Sequence, residues 1–258
     1  MSAPGSVRDF YDQLASDYHL IYEDWPADVR RQGAILDRWI RSIMGPGSHR
    51  ILDCACGIGT QAIGLALRGH RVTATDISAS SVERARKEAA DAGVAIDFGV
   101  ADFRMLERDV TGPFDVVIAC DNSLPHLTTD EDLSRAARSI HGMLRPGGLL
   151  IASTRDYAEA LRTHTTTTPP RMFDDERGRR VVFQAWAWEP DGRTYTVHLF
   201  ILRGGEDGWD VNEYQTTYRA VLPAELTSVL TEAGFGQVAW QSPSDSGFYQ
   251  PLVTARRA

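Results

Sequence analysis

RILDCACGIGTQAIGLALRGHRVTATDIS, residues 50–78, breaks into four pieces. RILDCA is a short apolar run ending on a carboxylate. CGIG is a glycine turn. TQAIGLALRG has helical apolar spacing and closes on Gly69, a residue type that ends helices. RVTATD is a second apolar run, and it ends on Asp76. A strand, a glycine turn, a helix and a second strand make a βαβ unit, and in that unit ligands gather at the carboxyl ends of the strands.

The pattern continues downstream. SASSVERARKEAADAG reads as a helix with Ser78 as its cap and Gly93 as its stop. AIDFGVAD and FDVVIAC read as a third and a fourth strand. DEDLSRAARSIHGMLRPGG reads as a helix with Pro146-Gly147-Gly148 as its stop, and LLIASTRD as a fifth strand. Apolar runs this continuous suit strands buried on both faces, so a parallel sheet covered by helices is expected. PAELTSVLTEAGF adds a helix with Pro223 near its first position, and GQVAWQ and FYQPLVTARR can close the sheet as an antiparallel pair. Before the core, Leu14, Tyr18, Ile21, Ile35, Leu36, Trp39 and Ile40 recur at helix spacing, with a break at Trp25-Pro26. Between the fifth strand and the last helix, RRVVFQAWAWEP, RTYTVHLFIL and WDVNEYQTTYRAVL are rich in aromatic and β-branched residues. Turns at Pro190-Asp191-Gly192 and Gly204-Gly205 separate them, the pattern of an antiparallel meander. THTTTTPP reads as a loop.

The fold expected is therefore α/β: a Rossmann-like, seven-stranded, mostly parallel sheet with an antiparallel final strand, plus an antiparallel β insertion acting as a substrate cap. One domain spans residues 1–258. It divides into a helical lid (7–43), a nucleotide-binding core (44–155), the cap (156–220) and a return to the core sheet (221–258).

Bulk properties narrow the function classes. In 258 residues, 43% hydrophobic and 24% charged, there is enough material for a full core. The net charge of −8 disfavours broad nucleic-acid binding. No apolar run approaches a membrane span, and the first 25 residues lack the layout of a signal peptide. Three cysteines, Cys54, Cys56 and Cys120, do not suggest a disulfide framework, so a cytoplasmic protein is expected. Cys54 and Cys56 read as small core residues, with no partner set at metal-ligand spacing.

The ligand can be narrowed from the turn itself. Gly57 and Gly59 let the backbone approach a bound group, and Asp76 can accept both hydroxyls of a ribose. Asp53, placed just before the turn, would repel a pyrophosphate but suits an ammonium. An amino-acid-bearing nucleoside without phosphate meets both conditions, and S-adenosylmethionine is such a molecule. Asp102, in VAD at 100–102, is placed to receive the adenine amino group. An NAD-dependent oxidoreductase is the remote alternative. It would need phosphate-cradling donors where this chain puts Asp53.

With LDCACGIGT, ACDNSLPHL, RPGGLLIASTRDY and YEDW…RRQ in this order, the chain resembles a class I S-adenosylmethionine-dependent methyltransferase. Within that class it is similar to glycine and glycine/sarcosine N-methyltransferases and related small-molecule enzymes of specialised metabolism. The resemblance covers residues 10–160 well. It implies that Asp53, Ala55, Gly57 and Gly59 line the methionine end, that Asp76 and Ile77 hold the ribose, and that Asp102 and Phe103 flank adenine. His126 and Cys120 would approach the cofactor from the fourth strand's end. Arg31, with Arg30 as the fallback, would meet the cofactor's carboxylate unless both simply lie on a solvated helix face. Tyr11 and Trp25 would close over the cofactor, though Trp25 also suits packing at a helix break, and His126 a structural role. Asn122 and Arg155 match the pair that holds a substrate carboxylate in the glycine enzymes, with Tyr18 nearby.

The cap residues Trp186, Tyr195, His198 and Tyr218 read either as a hydrophobic face or as an aromatic lid for a flat or cationic acceptor. His126, Tyr11 and Tyr157 are candidate bases or orienters. The expected reaction is N-methylation of a small amine or amino-acid-like metabolite. C-methylation of an electron-rich heteroaromatic such as an indole is the alternative. The only partner expected is the small-molecule acceptor, with no nucleic acid, membrane or metal, and the sequence leaves open a homodimer through the β insertion or the N-terminal helices.

Overall fold

The computed structural model describes residues 5–175, 178–205 and 208–258. Helix α1 (Val7–Leu14) starts at a capping box, in which Ser6 and Asp9 satisfy each other's backbone N–H. Helix α2 (Trp25–Met44) starts at Asp24, whose carboxylate accepts from the Ala27 amide. Trp25-Pro26 thus opens this helix. The break expected there lies just upstream, in residues 15–24.

The core then alternates as its sequence predicts: β1 (Arg50–Asp53), α3 (Thr60–Leu67), β2 (Arg71–Asp76), α4 (Ala79–Asp91), β3 (Asp97–Val100), β4 (Phe114–Ala119), α5 (Asp130–Met143) and β5 (Leu144–Ser153). One boundary differs. RPGG does not separate α5 from β5; the chain enters the strand directly at Leu144, and Pro146-Gly147-Gly148 lie within it. The register between β4 and β5 shifts at this place, which is where a ladder tolerates a residue that cannot donate.

After β5 come α6 (Tyr157–Thr163) and four strands: β6 (Arg171–Asp175), β7 (Gly178–Trp188), β8 (Thr194–Gly205) and β9 (Gly208–Arg219). The meander therefore has one strand more than its aromatic runs suggest. Gly204 and Gly205 end β8 in register with Trp209 and Gly208, and the two positions between lie outside the described residues. The chain finishes with α7 (Pro223–Glu232), β10 (Phe235–Gln241) and β11 (Leu252–Arg257).

The main sheet has seven strands in the order β10-β11-β5-β4-β1-β2-β3. All neighbours are parallel except β11, which runs antiparallel to both β5 and β10. The expected Rossmann-like sheet with an antiparallel final strand is what forms. Its burial follows from strand periodicity. In β4, Val116 and Ile118 pack with α2, α3 and α4, while Val117 and Ala119 pack with α5 and α7. The four-stranded sheet β6-β7-β8-β9 buries one face, Val182, Trp186, Tyr195, Val197, Leu199, Ile201, Tyr214 and Tyr218, against α1 and α6. Among the described residues, no helix is long and apolar enough to cross a membrane.

Candidate active site

Between β1 and α3 the backbone turns through Gly57, whose φ is +51°. A Cβ there would stand 3.1 Å from Cε1 of Tyr18. The turn is closed by a carboxylate: Asp76 accepts the Gly57 amide at 2.8 Å on one oxygen and the Ser78 amide at 2.9 Å on the other. Burial raises the Asp76 pKa above its ordinary value. Asp53 is nearly inaccessible, and one of its carboxylate oxygens has no hydrogen-bond partner. Burial first, and the charge of Asp76 after it, push its pKa up to about 7.

These strand ends open into a cavity of about 410 Å³. Ala55, Gly57, Asp76, Ile77, Asp102, Phe103, Cys120, His126, Tyr11 and Tyr18 all reach its wall. Asp53 does not; its neighbours Cys54 and Ala55 form the wall there. Asp102 is held by Arg104, which donates to both of its oxygens at 3.0 Å. Burial opposes ionisation of Asp102, but Arg104 more than offsets it, so its pKa lies below the ordinary value.

Residues 121 and 122 follow β4 in the left-handed region, Asp121 at φ +58° and Asn122 at φ +66°. The Asp121 amide donates to Ser153 Oγ at 2.8 Å. Its carboxylate receives the hydroxyls of Tyr18 at 3.1 Å and Tyr22 at 3.2 Å on one oxygen, and that of Tyr249 on the other. Beyond Asp121 lies a second cavity, of about 590 Å³, reached by Arg155, Gln184 and Trp186. A smaller space of about 70 Å³ touches Tyr11, Tyr18, Arg155 and Tyr218.

His126 is buried beside the cavity, with Tyr11 Oη 2.8 Å from its Nε2 and the Tyr218 ring centroid 4.1 Å away. Burial lowers its pKa to about 3, so the imidazole is neutral and a weak base. Tyr11 and Tyr157 are pushed well above the ordinary phenol range by burial first. Tyr157 bonds to Asn122 Oδ1 at 3.0 Å and to Tyr195 Oη at 2.9 Å.

Several residues lie elsewhere than their sequence context suggests. Arg31 does not reach the first cavity: Asp28, one turn earlier on α2, captures its guanidinium, and the pair faces the second cavity. Trp25 is buried in the core, its indole N–H donating to Thr60 Oγ1 at 2.9 Å, so packing is what it does here. His198 is on the outer face of the cap, paired to Glu213 at 2.7 Å. Three residues from Tyr195 on one strand, it must face the other way. Tyr195 is fully buried and, with Asn122 and Tyr157, lies behind Arg155 and outside the walls of these cavities. Asp121, Tyr22 and Tyr249 carry no sequence signal of their own beyond Asp121's position at a strand end.

Residues 51–148 match the family described as "Methyltransferase domain". That region, the core of the chain, is similar to class I S-adenosylmethionine-dependent methyltransferase domains. The chain is 33% identical over 165 residues to the glycine/sarcosine N-methyltransferase of Parasynechococcus marenigrum, an alignment that covers 62% of this chain and 57% of that one. It thus spans little more than half of that relative's length. Among solved structures it resembles DesVI of Streptomyces venezuelae, with a TM-score of 0.78 at 20% identity over 95% of this chain and 98% of the other. It also resembles an amino pentose methyltransferase of Micromonospora echinaspora solved with S-adenosylmethionine bound, with a TM-score of 0.74 at 17% identity over 100% and 99% of the two chains. S-adenosylmethionine is the cofactor of this class, and the donor set suits it: a carboxylate at the tip of β2, no cationic cradle for phosphates at the turn, and an unpaired Asp53 oxygen behind the wall.

Proposed function

We propose that this chain transfers a methyl group from S-adenosylmethionine to the nitrogen of a small metabolite, an amine or amino-acid-like acceptor. The observation that carries the reading is the meeting of two cavities at the end of β4. One is built from the βαβ turn, Asp76 and Asp102; the other lies under the aromatic cap and has a volume ordinary for small-molecule sites.

When bound, the cofactor supplies a methyl group already activated by its sulfonium. Catalysis then needs alignment and exclusion of water more than acid–base chemistry. Asp76 receives the ribose hydroxyls, Asp102 and Phe103 frame the adenine, and Asp53 adds negative charge near the amino-acid end. Tyr11 and Tyr18 stand between the first cavity and the small space beside it. Arg155 stacks 4.8 Å from the Trp186 ring centroid and 5.2 Å from that of Tyr218, and donates to Gln184 and Tyr195. It offers positive charge to a substrate carboxylate. Neutral His126 and protonated Tyr11 and Tyr157 hold the site's shape. An amine needs only to lose its own proton before attack, so the lack of a strong base among these three is consistent with N-methylation.

C-methylation of an indole-like ring draws on one observation, the aromatic wall of Tyr22, Trp186 and Tyr249 in the second cavity. A role in specialised metabolism and a cytoplasmic location belong to the same proposal; all three cysteines are free and buried.

The test is calorimetric titration with S-adenosylhomocysteine and, separately, NADH, using wild type and Asp76→Ala. Micromolar binding of the homocysteine compound alone, lost in the variant, supports the cofactor site. A labelled-methyl screen of amines, amino acids and indoles follows. No binding would sink the reading.

A further inference from the structure

We propose that Asp121 is the specificity-determining anion of the acceptor site, and that the acceptor is a cation bearing a protonated amine which this carboxylate receives. The inference rests on the methyltransferase reading above and names the substrate class of that same site.

Three observations converge. Asp121 borders the cofactor-side cavity, the cap-side cavity and the small space joining them, so a group held on it stands at the junction of the two compartments. Its carboxylate is half-buried, yet among the described residues it has no arginine, lysine or histidine partner; its partners are three tyrosine hydroxyls. Burial and the nearby Asp121 hold all three phenols well above their ordinary range, so they stay neutral donors. The site is thus a single negative charge ringed by aromatic faces, and both components attract a cation. An indole N–H can donate to this carboxylate but brings no positive charge to it, so an ammonium is the better match.

The backbone shows that the placement is held from outside. A non-glycine residue in the left-handed region costs free energy and persists only where its surroundings enforce it. Here Ser153 does so: its Oγ accepts the Asp121 amide, its carbonyl accepts the Asn122 amide at 3.2 Å, and its hydroxyl donates to Gln250 at 2.7 Å. Asp121 is aimed between the cavities by β5 and the loop before β11. Arg155, across the cap-side cavity, supplies the opposite charge, so an acceptor carrying both an ammonium and a carboxylate can span the two.

The experiment uses the full chain loaded with S-adenosylhomocysteine and three probes read by ligand-detected NMR titration: 2-phenylethylammonium, 2-phenylethanol and indole. Wild type should bind the ammonium at least about tenfold more tightly than the isosteric alcohol, as charge-assisted hydrogen bonds are stronger than neutral ones. Asp121→Asn, which tolerates the same backbone conformation, should abolish that preference while leaving S-adenosylhomocysteine affinity within about twofold. Retained S-adenosylhomocysteine affinity in Asp121→Asn, together with a thermal unfolding transition like that of wild type, shows that the variant is folded and that a lost preference is not a folding artefact. Equal binding of ammonium and alcohol, or no binding of the ammonium, overturns the proposal. So does a loss in Asp121→Asn that falls on S-adenosylmethionine relative to S-adenosylhomocysteine, because the charge would then serve the cofactor. Failure of wild type to bind S-adenosylhomocysteine overturns the methyltransferase reading itself, a separate result visible in the first titration.

Discussion

The Tyr11 hydroxyl lies 2.8 Å from Nε2 of His126, joining the N-terminal segment to the end of β4 through a buried neutral imidazole. Burial lowers the His126 pKa from its ordinary value to about 3, so folding excludes the proton that an unfolded histidine accepts near pH 6.5. The stability tied to this group is fully present above that unfolded pKa and is lost as pH falls toward 3. Denaturant unfolding of wild type should therefore weaken progressively below about pH 6.5. His126→Gln should flatten the part of the slope between about pH 6.5 and 4, at a cost in absolute stability. An unchanged slope in the variant would show that His126 is not the group responsible.

Gly33 on α2 and Gly64 on α3 let two helix backbones touch. A Cβ on Gly33 would sit 2.4 Å from the Gly64 carbonyl carbon, and one on Gly64 would sit 2.4 Å from the Val29 carbonyl oxygen. Backbone cannot swing aside as a side chain can, so Gly33→Ala and Gly64→Ala should each cost roughly 3 kcal/mol or more, the upper range of overpacking. Chemical denaturation measures this. Near-neutral values would mean the helices can separate without loss.

That contact also marks where sequence reading stops. The period of Ile35, Leu36, Trp39 and Ile40 shows that α2 has a buried face, but not that Gly33 is its point of closest approach. The βαβ unit was legible because a carboxylate, two glycines and a second carboxylate each follow from local geometry. Asp121 was not, because its importance lies in a left-handed backbone imposed by Ser153, thirty-odd residues away in the chain. Strand β6 leaves little trace in the sequence, because RMFDD is polar at all but two positions and only Phe173 is buried. Tyr195 and His198 differ in role for a reason the spacing does contain: three residues apart on one strand, they face opposite sides.

Arg180 is buried on β7 and reaches back to the N-terminal segment, donating to the carbonyls of Leu20 at 3.1 Å, Tyr22 at 2.8 Å and Glu23 at 3.2 Å. Asp175 balances its charge at 2.7 Å. It thus ties the chain around Tyr18 and Tyr22 to the cap. Arg180→Met should destabilise the fold by roughly 3 kcal/mol, since three carbonyls and a carboxylate lose their donor together. Limited proteolysis should then cut first between α1 and α2. Resistance there equal to wild type would mean the segment is held by other contacts, such as Asp17 with Tyr214.

Asp53 links cofactor affinity to pH. Burial raises its pKa to about 7, well above that of an unfolded aspartate, so in the ligand-free protein the folded state favours the protonated carboxyl. Its contribution to stability is present below the unfolded value near 4 and is lost as pH rises through about 7. Asp53→Asn should therefore raise the stability of the ligand-free protein at pH 8 and leave it little changed at pH 4.5. Binding has the opposite sign. The ammonium of S-adenosylhomocysteine favours the ionised carboxylate, so wild-type affinity should rise between pH 6 and 8 and protons should be released on binding, whereas Asp53→Asn should bind more weakly with a flat profile. Calorimetry in two buffers of different ionisation enthalpy counts those protons directly. Equal proton release by both proteins would place the titrating group elsewhere, and an affinity unchanged by the substitution would remove Asp53 from the cofactor site.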